Sequence, residues 1–431
     1  MNFAEAVKYL LSLGHETLTI KLGLRNTELL LQALNNPERS FKSVQIAGTN
    51  GKGSTCAFLD SICRQAGIKT GLYTSPHLES ITERIKVNGA NISDDDFARY
   101  TTLVRDAAQQ LVADKTLEAL PTFFEQVTAI GLVALREAGV ELAILETGLG
   151  GRLDSTTAAN ASVCAITQIA FDHEEYLGHT IEEIAGEKAA IIRPDSKVAV
   201  APQKPDALAV ILKRCEDIGV TPLLDQVRTT VNDVSTDGRF VVSFNTPERQ
   251  LENVSLGLRG RHQIENAAVA IQLTEILSTD DFSISSEAIV NGLQTASHPG
   301  RLELIRNVLL DGAHNPAGAS ALREFLTQFG PRPLTIVFGA MRDKRLVEIA
   351  ELLFPLADEL VLTEVNNPRT ARLDQLERLA SLFKLERVTS IAQAEDALHY
   401  AIQQAPPEGM ICITGSLYLI GELRSQVKKQ S

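Results

Sequence analysis

The stretch "VQIAGTNGKGST", residues 44–55, runs from a short apolar segment into three glycines and one lysine, with two hydroxyl residues directly after. A glycine-rich turn of this kind lets successive backbone N–H groups point at one anion. A helix starting at its end adds the positive end of its dipole. Lys52 can bring charge to the outer phosphates of a nucleotide, and Ser54 or Thr55 a hydroxyl to a magnesium ion. The spelling G-x-x-G-K-G-S departs from the usual G-x-x-x-x-G-K-[ST], so the reading depends on a strand before the turn and a helix after it. Without them it is a tight turn with a surface lysine. Three more residues could join this chemistry: Glu146, His173 and Lys188. Magnesium takes oxygen donors and keeps several waters, which suits Glu146 and a serine hydroxyl. A histidine suggests a second, more specialised metal position. Taken singly, each has a plain structural alternative: a strand-end carboxylate, a loop imidazole, a solvated helix lysine.

The elements that must hold these residues can be read from periodicity. "SVQIAG", "KTGLYTS", "ELAILET" and "SVCAITQI" are short, apolar and bounded by polar or glycine-rich turns, as strands are. Between them "STCAFLDSICRQAG" and "TFFEQVTAIGLVALREAG" have helical patterning and end near a glycine. This alternation predicts a mostly parallel sheet with helices on its faces, and ligands then sit outside the carboxyl ends of its strands. The segments at those ends are "TNGKGST", "SPHLES", "GLGGRLDST" and "AFDHEEYLG". They gather Lys52, Glu146 and His173 at one sheet edge. Lys188 follows on the helix "HTIEEIAGEKAAII", where Thr180 and Glu183 have capping-box spacing and Gly186 suggests close packing.

Beyond about residue 220 the texture turns to β, and "RTTVNDVSTDGRFVVSFN" carries an Asp-Gly between two strand-like runs, a hairpin signal. "TASHPGR", 295–301, reads as a linker. A second alternating unit follows in "NVLLDGAHNP", "PLTIVFGAMRDK", "ELVLTEVNNPR" and "MICITGS". The expected fold class is α/β: a large P-loop-type, mostly parallel sheet domain over 1–295 with a small β-hairpin insertion, a hinge at 296–300, and a smaller Rossmann-like α/β domain over 301–431.

Composition bounds the function. With 44% hydrophobic and 22% charged residues, the 431-residue chain reads as a globular enzyme of more than one domain. A formal charge of −13 disfavours a nucleic-acid partner. No apolar run reaches the roughly 20 residues of a membrane span, and the N-terminal segment lacks a leader pattern. Five scattered cysteines without metal spacing read as reduced core thiols in a cytoplasm.

The ordered motifs "GTNGKGS", "YTSPHL", "ERIKVNG", "TFFE", "ETGLGGRLD", "DHEEYLG", "EKAAII", "PGRLE", "DGAHNP" and "TGS" resemble those of folylpolyglutamate and dihydrofolate synthases, within the Mur-ligase-like group of ATP-dependent amide ligases. The resemblance runs from about residue 20 to residue 420. It implies that ATP activates a carboxylate as an acyl phosphate, which the amine of L-glutamate attacks. The acceptor would be dihydropteroate, a reduced folate, or both. It implies nucleotide contacts from Thr49, Asn50, Gly51, Lys52, Gly53 and Ser54, and from Asn266, Arg301, Asp311 and His314. One magnesium would be placed by Ser54, Ser75 and Glu146, and a second by Glu146 and His173. Lys188 matches the family's carbamylated lysine, and Asp311, His314 and Ser416 would also shape the glutamate pocket. Arg84, Phe124, Asp154 and Ser155 are the candidates for the pterin or folate side, a cation and an aromatic suiting a flat anionic substrate. Expected partners are these small molecules alone, for a monomer without nucleic acid or membrane.

Two departures from the family pattern stand out. "STT", with Ser155 and Thr157, follows "GGRLD" where Ala-Thr-Asn is usual, and Ala190 replaces a glycine. Two rivals stay open: a Mur-type ligase with a different carboxylate acceptor, and a P-loop ATPase that forms no bond. Against the first, the phosphate loop begins by residue 48 and leaves no room for a separate N-terminal nucleotide-sugar domain.

Overall fold

In the computed structural model, which describes residues 1–14, 23–280 and 282–429, the chain forms three sheets. The first residues of the resemblance, and the end of the N-terminal segment read for a leader, lie outside the described residues. The first sheet has eight strands in the spatial order Ala90–Asn91, Ile85–Val87, Thr70–Tyr73, Leu142–Glu146, Lys42–Ala47, Val163–Ile166, Lys197–Val200, Leu223–Leu224. All pairs from Thr70–Tyr73 onward are parallel; the two strands at the other edge turn antiparallel. The four sequence-read strands are all present, and Glu146 is the last residue of its strand. These strands are buried throughout, apart from Lys42 at the start of the central one. That explains why they read as continuous apolar runs without alternation.

Lys42–Ala47 lies at the centre, with Ile46 beside Glu146 on one flank and Ala47 beside Ile166 on the other. The chain leaves it through the helix Lys52–Gln65, eleven of whose residues are buried. This helix packs against His262–Asp280, Ser286–Thr295 and the sheet. The helix Phe123–Glu137 begins at a capping box in which Thr122 and Glu125 exchange hydrogen bonds, 2.6 Å and 3.4 Å. The box at Thr180 and Glu183 is also formed. Gly186, expected to mark close packing, faces open space: nothing lies within 4 Å of where a Cβ would be.

The β-textured region is a three-stranded antiparallel sheet of Arg228–Val234, Phe240–Asn245 and Gln250–Ser255, one strand more than the hairpin expected. The Asp-Gly sits in a longer connection in which Ser235 N–H donates to Arg239 O, so two residues do not close the turn alone. Alternate residues Phe240, Val242 and Phe244 point into the core beneath the long helices.

The third sheet runs Glu303–Ile305, Val308–Asp311, Met410–Thr414, Leu334–Phe338, Glu359–Leu362, Val388–Ser390, parallel except for the first hairpin. Its core is separate from those of the first sheet. All five cysteines are buried and free. Among the described residues no helix is long and apolar enough to cross a membrane.

Candidate active site

The loops at the carboxyl ends of both parallel sheets open onto one cavity. From the first sheet come residues 48–54, Ser75, Glu146, residues 148–150 and 153–155, and residues 172–173; from the third come Asp311–His314, Met341, Lys344, Arg369 and Ser416–Tyr418.

The helix Lys52–Gln65 starts at Gly51, whose φ of 88° suits glycine, with no side chain capping its free N–H groups. A Cβ on Gly51 would meet Asn266 Oδ1 at 2.2 Å, so backbone and helix approach closely here. Lys52 folds over its own loop, Nζ 3.2 Å from Gly48 O and 3.3 Å from Thr49 O. Thr49 is tied to Gln168 O and Ala170 O, and Asn50 to Asn315. Gly53 and Ser54 line the cavity, and Ser54 Oγ accepts from Gln263 at 3.2 Å. Gln263 also accepts from Asn266 at 2.9 Å, one helical turn away on the same face.

Glu146 is 6% exposed, and its Oε2 accepts from Ser75 N–H at 3.2 Å. Burial raises its pKa against the opposing pull of Lys52, the Ser75 bond and Arg301. Lys188 is 4% exposed and gives one hydrogen bond to Gly48 O at 2.9 Å, so it is no solvated helix lysine. Burial, reinforced by Lys52, depresses its pKa to about 7. His173 takes a left-handed conformation, φ 52°, rare outside glycine and frequent at working sites. Its ring lines the cavity, and burial together with Lys344, His314 and Lys188 outweighs Asp172, pushing its pKa to about 3.

Asp172 was not singled out from the sequence, yet it joins the two sheet systems. It accepts from Lys344 at 2.6 Å and Asn315 at 3.1 Å, with His314 Nε2 at 3.3 Å. Burial works against its ionisation, but the hydrogen bond with His314 and the Lys344 ammonium prevail, and its pKa falls well below the usual carboxylate range. Beside it Arg345 grips Glu174 with two bonds, 2.7 Å and 2.8 Å, and lies over the Phe171 ring.

Of the remaining candidates, Asp311 accepts from Leu302 and Ala313 backbone N–H groups, and His314 donates from Nδ1 to Gly312 O at 2.7 Å. Arg301, Phe124 and Ser155 line the cavity. Asp154 receives the N–H groups of Gly148, Leu149 and Thr156, so it holds the glycine loop in shape more than it offers a free carboxylate. Ser416 accepts from Tyr418 N–H at 3.1 Å. Arg84 is not brought to the cavity. It is 1% exposed, with Nε on His77 Nδ1 at 2.9 Å and its guanidinium over Phe123. Its aromatic neighbour is Phe123, not the Phe124 of the expectation, which lines the cavity apart from it.

Residues 46–274 match the Mur ligase middle domain and residues 300–417 the Mur ligase glutamate ligase domain. A dihydrofolate synthase/folylpolyglutamate synthase of Bacillus subtilis is 35% identical over 416 residues, spanning 95% of this chain and 96% of the relative. This chain belongs to the dihydrofolate synthase/folylpolyglutamate synthase family of Mur ligases. Such enzymes are ATP-dependent amide ligases. The family member of Escherichia coli is 32% identical, over 94% of this chain and 91% of its own length. Among solved structures, Mycobacterium tuberculosis folylpolyglutamate synthase complexed with ADP and AMPPCP superposes with a TM-score of 0.89 at 30% identity, covering 99% of both chains. The E. coli FolC complex with DHPP and ADP does so at 0.88 and 27%, covering 100% of this chain and 98% of that one.

Proposed function

We propose that this protein joins L-glutamate to dihydropteroate, to the γ-carboxylate of a reduced folylpolyglutamate, or to both, at the expense of ATP. The observation that carries the reading is the convergence of both sets of strand-end loops on one cavity, with the glycine-loop helix N-terminus at its wall. A carboxylate is a poor electrophile. Its oxygen would take the γ-phosphoryl group, ADP leaving, and the glutamate amine would then displace phosphate from the acyl carbon. Lys52 and the free N–H groups at the start of the helix Lys52–Gln65 would receive the nucleotide's phosphates, while Thr49 and Asn50 give their N–H groups to Gln168 O. Asn266, Arg301, Asp311 and His314 would meet the rest of the nucleotide; Phe124 and Ser155, with Asp154 shaping their loop, would face the pterin.

Magnesium fits the donors present. Glu146 is a buried carboxylate whose pKa is raised by burial, and Ser54 and Ser75 are hydroxyl residues lining the same cavity. Two ions, held by Ser54, Ser75 and Glu146 and by Glu146 and His173, would offset charge on the phosphoryl group when bound. Lys188 fits carbamylation: only a neutral amine adds carbon dioxide, and burial brings its pKa to about 7.

An acyl phosphate must be kept from water. Residues 1–295 and 301–431 would close over it about a hinge at 296–300, with the Asp172–Lys344 and Glu174–Arg345 pairs meeting in the closed form. A cytoplasmic monomer using free small molecules completes the proposal. The test is phosphate release with ATP, magnesium and glutamate, comparing dihydropteroate, tetrahydrofolate and no acceptor. Acceptor-dependent release supports the reading; acceptor-independent release without ligation favours an ATPase.

A further inference from the structure

The loop that follows the strand Thr70–Tyr73 starts at the cavity and reaches the other half of the molecule. At its start Ser75 N–H meets Glu146 Oε2 at 3.2 Å. Farther along, the Glu83 carboxylate accepts the N–H groups of Leu78, Glu79 and Ser80 at 2.8, 3.0 and 2.9 Å. Arg84 Nε donates to His77 Nδ1 at 2.9 Å. A carboxylate that holds three successive N–H groups fixes the backbone's course, so this loop is a stiff extension of the first sheet.

Against it lies the helix Leu417–Lys429, which follows the strand Met410–Thr414 of the third sheet. The start of that helix, with Ser416 before it, lines the cavity. One turn in, a Cβ on Gly421 would stand 2.1 Å from Leu78 O and 2.9 Å from its carbonyl carbon. A glycine inside a helix costs about 1 kcal/mol against alanine, and this backbone contact accounts for one here. The Leu78 side chain packs against the core that includes Ile420 and Leu423, and with Ile420 it covers the hinge residue Gly300, φ 70°.

One turn further, Arg424 is 12% exposed and gives two bonds of 2.8 Å to Glu303. A third, at 2.9 Å, crosses to Glu79 on the loop, with Lys428 Nζ 3.9 Å from the same carboxylate. Glu303 in turn accepts Gly300 N–H at 2.9 Å. The guanidinium therefore joins the site loop, the third sheet and the hinge. At 1.5 Å per residue it stands about 10 Å along the helix from Leu417. Holding the helix at Gly421 and Arg424 holds its start opposite Ser75 and Glu146. A reaction between groups on two walls depends on their register, and about 1 Å of misplacement can cost on the order of 100-fold in rate.

We propose that Gly421 and Arg424 are positioning residues: through Leu78 and Glu79 they set the register between the Ser75–Glu146 wall of the cavity and the Ser416–Tyr418 wall. The inference rests on the ligase reading above. The experiment compares wild type, Gly421→Ala, Glu79→Gln, Arg424→Gln and the double variant Glu79→Gln/Arg424→Gln. Glutamate-dependent kcat is expressed per ADP-binding site, counted by calorimetric titration, and melting temperature is recorded beside it. In Gly421→Ala the new Cβ needs roughly 3.5 Å from Leu78 O in place of 2.1 Å, so the helix draws back by about 1 Å. Its kcat per site should fall by about 10-fold or more, while affinity for dihydropteroate or tetrahydrofolate, whichever wild type uses, moves by less than about 2-fold. Glu79→Gln, at a half-buried carboxylate, should lower kcat per site by about 3-fold or more. The double variant should be no slower than Arg424→Gln, because both changes break one contact. Lower melting temperatures with kcat per site unchanged would make the contact structural alone and overturn the proposal. Independent, multiplying losses in the double variant would overturn it too. If Gly421→Ala does not fold, the Glu79 and Arg424 cycle decides. All these results leave the ligase reading intact; a wild type with no glutamate-dependent turnover ends both.

Discussion

Replacing Lys188 with methionine should make the protein more stable while removing its activity. The lysine is 4% exposed, and burial lowers its pKa from 10.5 to about 7. At about 1.36 kcal/mol per unit, holding it protonated in the fold costs on the order of 5 kcal/mol. The sign follows from proton counts. Between pH 7 and 10.5 the unfolded chain binds the proton and the folded one does not, so stability rises with pH across that window. The cost is full below pH 7, falls to about 2 kcal/mol at pH 9, and vanishes above 10.5. Methionine removes it and also loses the bond to Gly48 O, a charged hydrogen bond worth roughly 1.5–3 kcal/mol. The net gain is about 2 kcal/mol or more at pH 6 and close to nothing at pH 9. Thermal denaturation in carbon-dioxide-free buffer at both pH values reads this directly. A variant less stable than wild type at pH 6, or a difference independent of pH, would refute the argument that this lysine is a strained buried cation. In bicarbonate-containing buffer, ligation should be nearly abolished by Lys188→Ala and partly restored by acetate or formate, if the residue acts as a carbamate. Near-normal activity without rescue would sink that role.

Gly51→Ala should raise KM for ATP by an order of magnitude or more, because its Cβ would strike Asn266 Oδ1 at 2.2 Å at a backbone angle that favours glycine; nucleotide titration checks this, and an unchanged KM would mean the loop yields freely. Asp172→Asn should open the two halves of the molecule. It leaves Lys344, 7% exposed, without its anion, a loss of about 3–5 kcal/mol for a buried pair. The expected readouts are a larger radius of gyration in small-angle scattering and a tenfold or greater fall in kcat/KM, and no change in either would remove Asp172 from closure.

Much of this arrangement was legible in the residues. The central strands are buried on both faces, so "SVQIAG" and "ELAILET" show as unbroken apolar runs, and their polar ends mark the edge where Lys52 and Glu146 meet the cavity. What distance in sequence hides was not legible. Asp172 lies 143 residues before Asn315 and 172 before Lys344, so nothing local to "FDHEEYLG" reveals that its aspartate is a hub between sheets. In sequence, Arg84 reads the same whether its cation faces a ligand or, as here, packs against His77 and Phe123. Gly186 misled because a missing side chain was taken for a close neighbour, and the fold leaves room there.

The most direct measurement is isotopic. With ¹⁸O in the carboxylate of the acceptor, ligation through an acyl phosphate transfers one labelled oxygen to the released phosphate. Labelled phosphate formed in step with glutamyl product is the expected result. Product formed with unlabelled phosphate, or phosphate released with no product, would contradict the proposal that ATP here activates a carboxylate for glutamate.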